Sequence, residues 1–597
     1  MEDLEIAAAA LQLTSVVVRA FRVCILAIEF FNTAQQVGAD GDLFRTGLEL
    51  EKYRLMRWAE IVGLLDDHDD ERQSLNWQLS DIILGQLESI LTSAAVLKAR
   101  YSLDVTEEEV DATDAQAPKQ GIPSLITRLK PNLGTMVAKI IEKQNSPIKR
   151  FRCQADRDGG KLKAFLADIN NLINKLEFLL DQTGQKHEKE EYDRLLREVI
   201  SLATTAAEAG QVKEFLDDAS PYHRQGQESI NATAYIKQVR LVLGADKRDD
   251  EVTPKSASDT VGLVMPKLVI LNRPLTTWPN KATTTLFQAN LEFATYRQKQ
   301  VLIQWKPVES TQWECYTKQM KCLAVFLMSL SVHKSFRSLP CLGHYPCQPQ
   351  ARHGIVYAMP DGGSGETDWD FKTLRDLIKD QPFVSLKRRL ALAKTLADVV
   401  LQLHTAGWLH KNLCSKNILF LATRGSSDDV FLASEPYIVG YEYARSDTSD
   451  AAVAFTQLPD TELEADLYRH PLARGVGRET YQKRFDLYAM ACVVVELVMW
   501  KPLVEIFSEH RVGTGDNADL KDLIATAQAA NEVIELPELR DLFEKNEAAV
   551  RVFEHHAGPA VLEIVRACYS AQKPEEGDEG LLTEQIAAVE KLGWCRL

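Results

Sequence analysis

The feature that most limits what this chain can fold into is a change of hydrophobic period part-way along it. From residue 4 to about 245, apolar residues recur at i, i+3, i+4 and i+7 with few turn clusters, the pattern of amphipathic helices. The spacing predicts helices over Leu4–Gln36, Leu43–Gly63, Ser74–Arg100, Leu125–Gln144, Lys161–Asp181, Glu188–Ala209 and Ala232–Leu243. Long helices with short connections pack as an antiparallel bundle. Beyond residue 262 the segments turn short and β-branched. Leu268–Asn272, the run "TTTLF", Gln300–Trp305 and His353–Met359 read as strands, Gln312–Leu330 as an amphipathic helix, and helices dominate again after 371. That order is α+β, not a repeating βαβ pattern.

Two polar breaks set the expected organisation. Residues 103–124 are too polar to pack and read as a loop inside the bundle, and residues 245–262 have the charge, Pro and Ser content of a linker. The main boundary is expected at that linker. A net charge of −16 with no concentrated basic run excludes a general nucleic-acid binder, since a phosphate backbone demands a basic surface. Ten cysteines are scattered, and the six-residue spacing of Cys341 and Cys347 has no second pair to complete a zinc site. They read as buried free thiols in a reducing cytoplasm, with no metal. The start "MEDLEIAAAA" has no basic leader, so the Asn231-Ala232-Thr233 sequon is expected to be unused. The nearest approach to a membrane span, Ile6–Phe31, is interrupted by Gln12, Arg19, Arg22 and Glu29.

The stretch "HKNLCSKNILF" from His410 to Phe420 resembles the catalytic loop of protein kinases, H-R-D-L-x-x-x-N, with Asn412 at the catalytic aspartate position. Arg484–Leu503 resembles the later kinase helix whose aspartate, here Asp486, braces that loop, and Glu496 follows in order. "YIVGYEYAR" (437–445) stands where kinases have D-F-G; aligning Arg445 with the usual arginine puts Gly440 at the metal-binding aspartate. In "YRHPL" (468–472), Leu472 replaces the A-P-E glutamate. No glycine-rich loop precedes the strand lysine, which is Lys306, with Gln304 as the competing alignment; Glu314 is its expected partner on the next helix. His410 and Asn417 keep the frame. The resemblance, covering roughly 262–597, implies a bilobal kinase-like fold (lobes about 262–360 and 361–597) that is a pseudokinase. With both carboxylates lost, no cofactor is expected and ATP binding is weak or absent, any residual nucleotide contact falling to Lys306, Glu314 and Asn417. Glu435 or Glu442 is the remaining stand-in for a metal ligand, which keeps a divergent active kinase as the alternative.

In the first half, Leu48, Leu50, Leu55, Arg57, Trp58 and Val62-Gly63-Leu64, followed by "FRCQADRDGGKLKAFLADINNLINKLEFLL" (151–180), resemble the HeLo domain of fungal heterokaryon-incompatibility proteins over residues 1–215. The resemblance implies a fungal source, a role in self/non-self recognition or regulated cell death, protein partners such as an upstream receptor or a second copy, and conditional insertion of residues 6–31 into an anionic membrane. The competing reading of that segment is a helix apolar nearly all round because it lies at the centre of a bundle. The order of a bundle (1–215), brace helix and linker (216–261) and kinase-like domain (262–597) is similar to that of mixed lineage kinase domain-like proteins. It implies a cytoplasmic protein, moved to the plasma membrane on activation, with Ser446, Thr448, Ser449, Thr456 and Thr461 as candidate phosphorylation sites. A pure interaction scaffold is the remaining alternative.

Overall fold

The structure is a computed structural model that describes residues 2–33, 41–65, 76–108, 121–142, 150–155, 159–218, 221–245, 263, 265–271, 275–277, 290–360, 367–380, 383–447, 463–475, 478–512, 519–530, 532, 534–571 and 579–594. The chain divides into two units, Met1–Gln238 and Val239–Leu597.

The first unit is helical: α1 (Glu2–Thr33), α2 (Gly41–Ile61), α3 (Trp77–Thr92), α4 (Ala94–Tyr101), α5 (Ile122–Leu129), α6 (Pro131–Glu142), α7 (Gly159–Glu177), α8 (Gln182–Leu202), α9 (Ala206–Asp218) and α10 (Pro221–Ala245). Local chemistry sets the breaks that periodicity alone misses. Ser93 leaves helical geometry and its hydroxyl accepts from Val96 N, so the predicted Ser74–Arg100 helix becomes α3 and α4, bent by 76°. Pro131 splits the predicted Leu125–Gln144 helix, because the residue before proline is pushed out of the α region. Asp181 starts α8, accepting from Gly184 N at 2.6 Å.

One expectation fails outright. Residues 103–124 do not form only a loop: β1 (Leu103–Glu108) pairs antiparallel with β2 (Arg150–Ala155), with Glu108 opposite Arg150 and Thr106 opposite Arg152 in register. Its partner lies more than forty residues away, so no local pattern announces it.

The helix α1 also differs from the centre-of-bundle reading. Val17, Ala20, Phe21, Cys24, Ile25, Ile28 and Phe31 form one buried stripe at helical spacing, while Arg19 and Arg22 are exposed on the reverse face. Glu29 is half-buried and accepts from Lys52 of α2 at 2.6 Å. Phe31 packs on Phe165 of α7 at 5.3 Å between ring centroids, and Phe165 on Tyr101 at 4.9 Å. Leu48, Leu50, Leu55, Trp58 and Val62 are fully buried.

Within this apolar core sits a polar ring. Arg54 donates to Glu51 at 2.9 Å, to Glu177 at 2.6 and 2.8 Å and to Asn174; Asn174 donates to Asn170 at 3.1 Å, and Asn170 back to Glu51 at 2.7 Å. Burial opposes the charge of Arg54, yet Glu177 and Glu51 outweigh it and raise its pKa. Replacing Arg54 by Met leaves two buried carboxylates without their cation, a change that costs about 3–5 kcal/mol. Chemical denaturation of the first unit is expected to show that loss, whereas Lys163→Met, which breaks the exposed pair with Glu214, is expected to cost no more than about 1 kcal/mol.

The second unit begins with a five-stranded antiparallel sheet. Its strands are β3 (Thr276–Thr277), β4 (Leu291–Tyr296), β5 (Lys299–Pro307), β6 (Cys341–Cys347) and β7 (Arg352–Ala358), in the order β3-β4-β5-β7-β6, with helix α11 (Trp313–Leu330) between β5 and β6. Of the predicted strand Leu268–Asn272, residues 268–271 are described, and they meet β6 at a parallel bridge, Ile270 to His344. Gly343, at φ +142°, lets them approach, since a Cβ there would lie 2.2 Å from the Val269 carbonyl oxygen. The "TTTLF" run lies outside the described residues. The chain continues through β8 (Trp369–Thr373), α12 (Leu374–Asp380), α13 (Leu386–Thr405), β9 (Trp408–Leu409), β10 (Ile418–Thr423), α14 (Asp428–Ala433), β11 (Pro436–Ile438), β12 (Arg445–Ser446), α15 (Leu463–Asp466) and α16 (Lys483–Met499). It ends in α17 (Leu503–Glu509), α18 (Leu520–Ala530), α19 (Leu539–Glu544), α20 (Glu547–Ala557), α21 (Pro559–Ser570) and α22 (Glu579–Trp594). A sheet with one helix followed by a mainly helical portion is compatible with a bilobal fold. The division of the chain falls inside α10 and not at 245–262, because the last turns of α10 belong to the second unit. There Arg240 donates to the Asp447 carbonyl at 3.2 Å and its guanidinium lies against Gly407.

Candidate functional site

Strand β5 is buried from Gln300 to Lys306, and its alternation sorts the residues onto two faces. Val301, Ile303 and Trp305 enter a small apolar core with Ala294, Tyr296 and Val356. Gln300, Gln304 and Lys306 take the other face. Gln304 accepts from Gly440 N at 3.1 Å, and Lys306 donates to the Glu442 carbonyl at 2.8 Å. Both competing candidates for the strand lysine thus contact the segment 440–442. The expected Lys306–Glu314 pair does not form: Glu314 is exposed at the start of α11, and that helix instead presents Tyr316, whose ring centre lies 4.8 Å from the Lys306 ammonium, with Tyr443 at 4.6 Å. Burial lowers the Lys306 pKa to about 8, against the opposing pull of Glu442.

Opposite β5 lies the loop 410–417, held by one carboxylate. Asp486, fully buried at the start of α16, accepts from His410 N at 2.8 Å, Lys411 N at 2.9 Å, the Tyr481 hydroxyl at 2.8 Å and His404 Nε2 at 3.2 Å. Burial raises its pKa, but His404, His410 and Tyr481 outweigh that and lower it. The bond to Lys411 N fixes a residue in left-handed geometry, φ +68°. His410 packs on Tyr441 at 4.6 Å and its Nε2 lies 3.1 Å from the Val439 carbonyl. Gln585 of α22 bonds His404 from behind at 2.8 Å.

The loop brings Asn412, Asn417, Gly440 and Glu442 together. The Asn417 amide donates to the Asn412 carbonyl at 2.7 Å, and the Asn412 amide to Glu442 Oε1 at 3.3 Å. Gly440 has φ +91°, and a Cβ there would stand 2.6 Å from Asn417 Nδ2. The space beside Gly440 is therefore filled by an amide. Glu435, the other carboxylate considered as a stand-in ligand, pairs with Arg337 at 2.5 Å instead. Leu472 is exposed, and Glu496 is buried, accepting from Tyr468 at 2.5 Å and Leu503 N at 2.9 Å. Of the candidate phosphorylation sites, Ser446 is half-buried on β12, and Thr448, Ser449, Thr456 and Thr461 lie outside the described residues. Sequence reasoning missed Lys411, His404, Tyr481 and Tyr316; "LHTAGWLH" holds both histidines of the brace, and that spacing was the available signal.

Among the described residues no single helix is long and apolar enough to cross a membrane. A family model described as prion-inhibition and propagation, HeLo, matches residues 8–211. Residues 8–211 carry a HeLo domain. The chain is 24% identical over 288 residues to heterokaryon incompatibility protein S of Podospora anserina, covering 45% of this chain and 96% of that protein. It is also 24% identical over 232 residues to heterokaryon incompatibility protein s of Podospora anserina, covering 38% and 78%. Every residue quoted above for the HeLo resemblance, from Leu48 to Leu180, falls inside the matched span, and Leu48, Leu50, Leu55, Trp58, Val62 and Leu64 among them are core side chains.

Four histidines of the second unit are held neutral chiefly by burial: His344 to about 3, and His353, His410 and His470 each to about 4. An unfolded histidine takes its proton near pH 6.5. Their contribution is therefore complete above pH 6.5 and is lost as pH falls from 6.5 towards 4, where the unfolded chain binds more protons. Urea titrations of the second unit at pH 7, 6 and 5 are expected to show stability falling, with His410 alone supplying a limiting slope of about 1.4 kcal/mol per pH unit. Flat stability across that range would contradict the burial.

Proposed function

We propose that this protein is a non-catalytic signalling protein in which the HeLo domain is controlled by a kinase-like unit that does not transfer phosphate. It would act in fungal self/non-self recognition or regulated cell death; the names of its Podospora relatives denote heterokaryon incompatibility. One observation carries the kinase-like part. Asp486 braces a loop of kinase pattern, while the two positions needing carboxylates hold Asn412 and Gly440 and the Asn417 amide occupies the space beside the glycine. An amide cannot serve as general base, and such a base alone contributes about 10²–10⁴-fold. Incubation of the full chain with labelled ATP and magnesium is expected to give no incorporation. The Asn412→Asp/Gly440→Asp double variant is expected to stay inactive and to be less stable, because an aspartate at 440 collides with Asn417 and one at 412 faces the Glu442 carboxylate.

Glu442 supports a second reading, a divergent ATP-binding kinase, since its carboxylate lies 3.3 Å from Asn412. Incorporation abolished by Glu442→Gln would establish that reading and overturn the first.

The output of the HeLo domain is proposed to be conditional membrane permeabilisation through α1, from a cytoplasmic resting state towards an anionic plasma membrane. The apolar stripe from Val17 to Phe31 supports it. Arg19 and Arg22 oppose it at about 2.5–3.5 kcal/mol each if carried to a bilayer centre, so a trigger or self-association is required. Dye release from phosphatidylserine vesicles is expected only with oligomerised protein, and is expected to vanish in Phe21→Asp; no release under either condition leaves the scaffold reading in its place.

A further inference from the structure

Beside the Asn412 cluster, on its α10 and α11 side, the second unit contains a cleft of about 350 Å³. Asn417 and Gly440 do not line it, while Lys306 and Glu442 do, so the cleft adjoins the place where the kinase pattern would hold its metal and opens away from it towards α10 and α11. Five cations from five segments converge on it: Arg240 of α10, Lys306 of β5, Lys318 of α11, Lys411 of the braced loop and Arg445 of β12. The lining has a single carboxylate, Glu442. Trp408 and Tyr316 add aromatic wall.

We propose that this cleft binds a small anion carrying two or more phosphoryl groups. With Glu442 already offsetting one of them, the cations still exceed what a single carboxylate or chloride would balance, whereas phosphoryl oxygens accept several charge-assisted bonds at once from lysine and arginine. The cations are already positioned. Arg240 and Arg445 are held by backbone carbonyls, at 3.2 Å from Asp447 O and 3.1 Å from Tyr481 O, and Lys411 by the Tyr481 ring at 5.6 Å. Burial is the main cause lowering the pKa of Arg240, Lys306, Lys411 and Arg445, and at Lys411, brought to about 7, the charges of Arg445 and Lys306 add to it. A bound polyanion would remove that mutual repulsion and join the end of α10 to β12. The inference stands on the cleft alone and does not rest on the assignment of the HeLo output.

The test is titration of the full chain with sodium tripolyphosphate at low ionic strength, followed by calorimetry and by thermal unfolding. Tripolyphosphate is expected to bind and to raise the melting temperature with concentration, more strongly than pyrophosphate, and pyrophosphate more strongly than orthophosphate. Lys411→Met and Lys318→Glu are each expected to weaken binding about tenfold or more. Lys318 is exposed, so its variant keeps the fold even if Lys411→Met does not; Lys545→Met, exposed and outside the cleft, should leave binding unchanged. Three results would overturn the proposal: no binding by tripolyphosphate, equal affinity in wild type and Lys318→Glu, or binding confined to ATP with magnesium, which would place the ligand in a nucleotide site.

Discussion

The second unit is organised around the Asp486 carboxylate. A fully buried carboxylate is tolerable only when donors surround it, and here two backbone amides, a tyrosine hydroxyl and a histidine do so. Because two of the donors are consecutive amides of the loop, the shape of 410–417 follows from the position of α16. From that shape follow the packing of His410 on Tyr441, the placing of Asn417 against Gly440 and the left-handed backbone at Lys411. None of these contacts needs the catalytic aspartate. The loop holds its form with Asn412 in place.

The first unit solves a related problem with opposite charge. Arg54 is buried among apolar helices and is kept ionised by Glu51 and Glu177, with Asn170 and Asn174 completing the donor and acceptor count. In both units a single buried ion with all its partners present orders side chains from several segments. The difference lies in location. The Arg54 ring sits inside the HeLo core between α2 and α7, whereas the Asp486 hub is one layer beneath the cluster proposed to carry function and the cationic cleft beside it.

Much of this was legible in the sequence where the determinants are local. The helical period of the first half, the strand Gln300–Trp305 and the helix after it follow from spacing within one segment, whereas the brace formed by Asp486, 76 residues from His410, was legible only through the resemblance to the kinase helix. What was not legible depends on remote partners. The β1–β2 pairing joins segments more than forty residues apart, and the polar composition of 103–108 argued for a loop. Glu314 looked like the partner of Lys306 because it was the acidic residue on the following helix, yet it is exposed and the helix offers Tyr316 instead. Arg54 was overlooked beside Arg57, since charge pattern alone does not tell a buried arginine from a half-exposed one. The cleft needed five segments to be assembled before its charge excess existed at all.

The Arg54 ring has a consequence for how the HeLo helices can rearrange. Its members stand three apart on α2 and four and seven apart on α7, so each helix contributes one face. The smallest slide that would bring helical faces back into register is one turn, about 5.4 Å. A slide of one turn in one direction sets Glu51 against Leu166 and replaces Glu177 by Ile173 beside Arg54, so the ring as a whole is not remade there. The full set of bonds is made in one register of α2 against α7, so the ring fixes the two helices lengthwise as well as side by side.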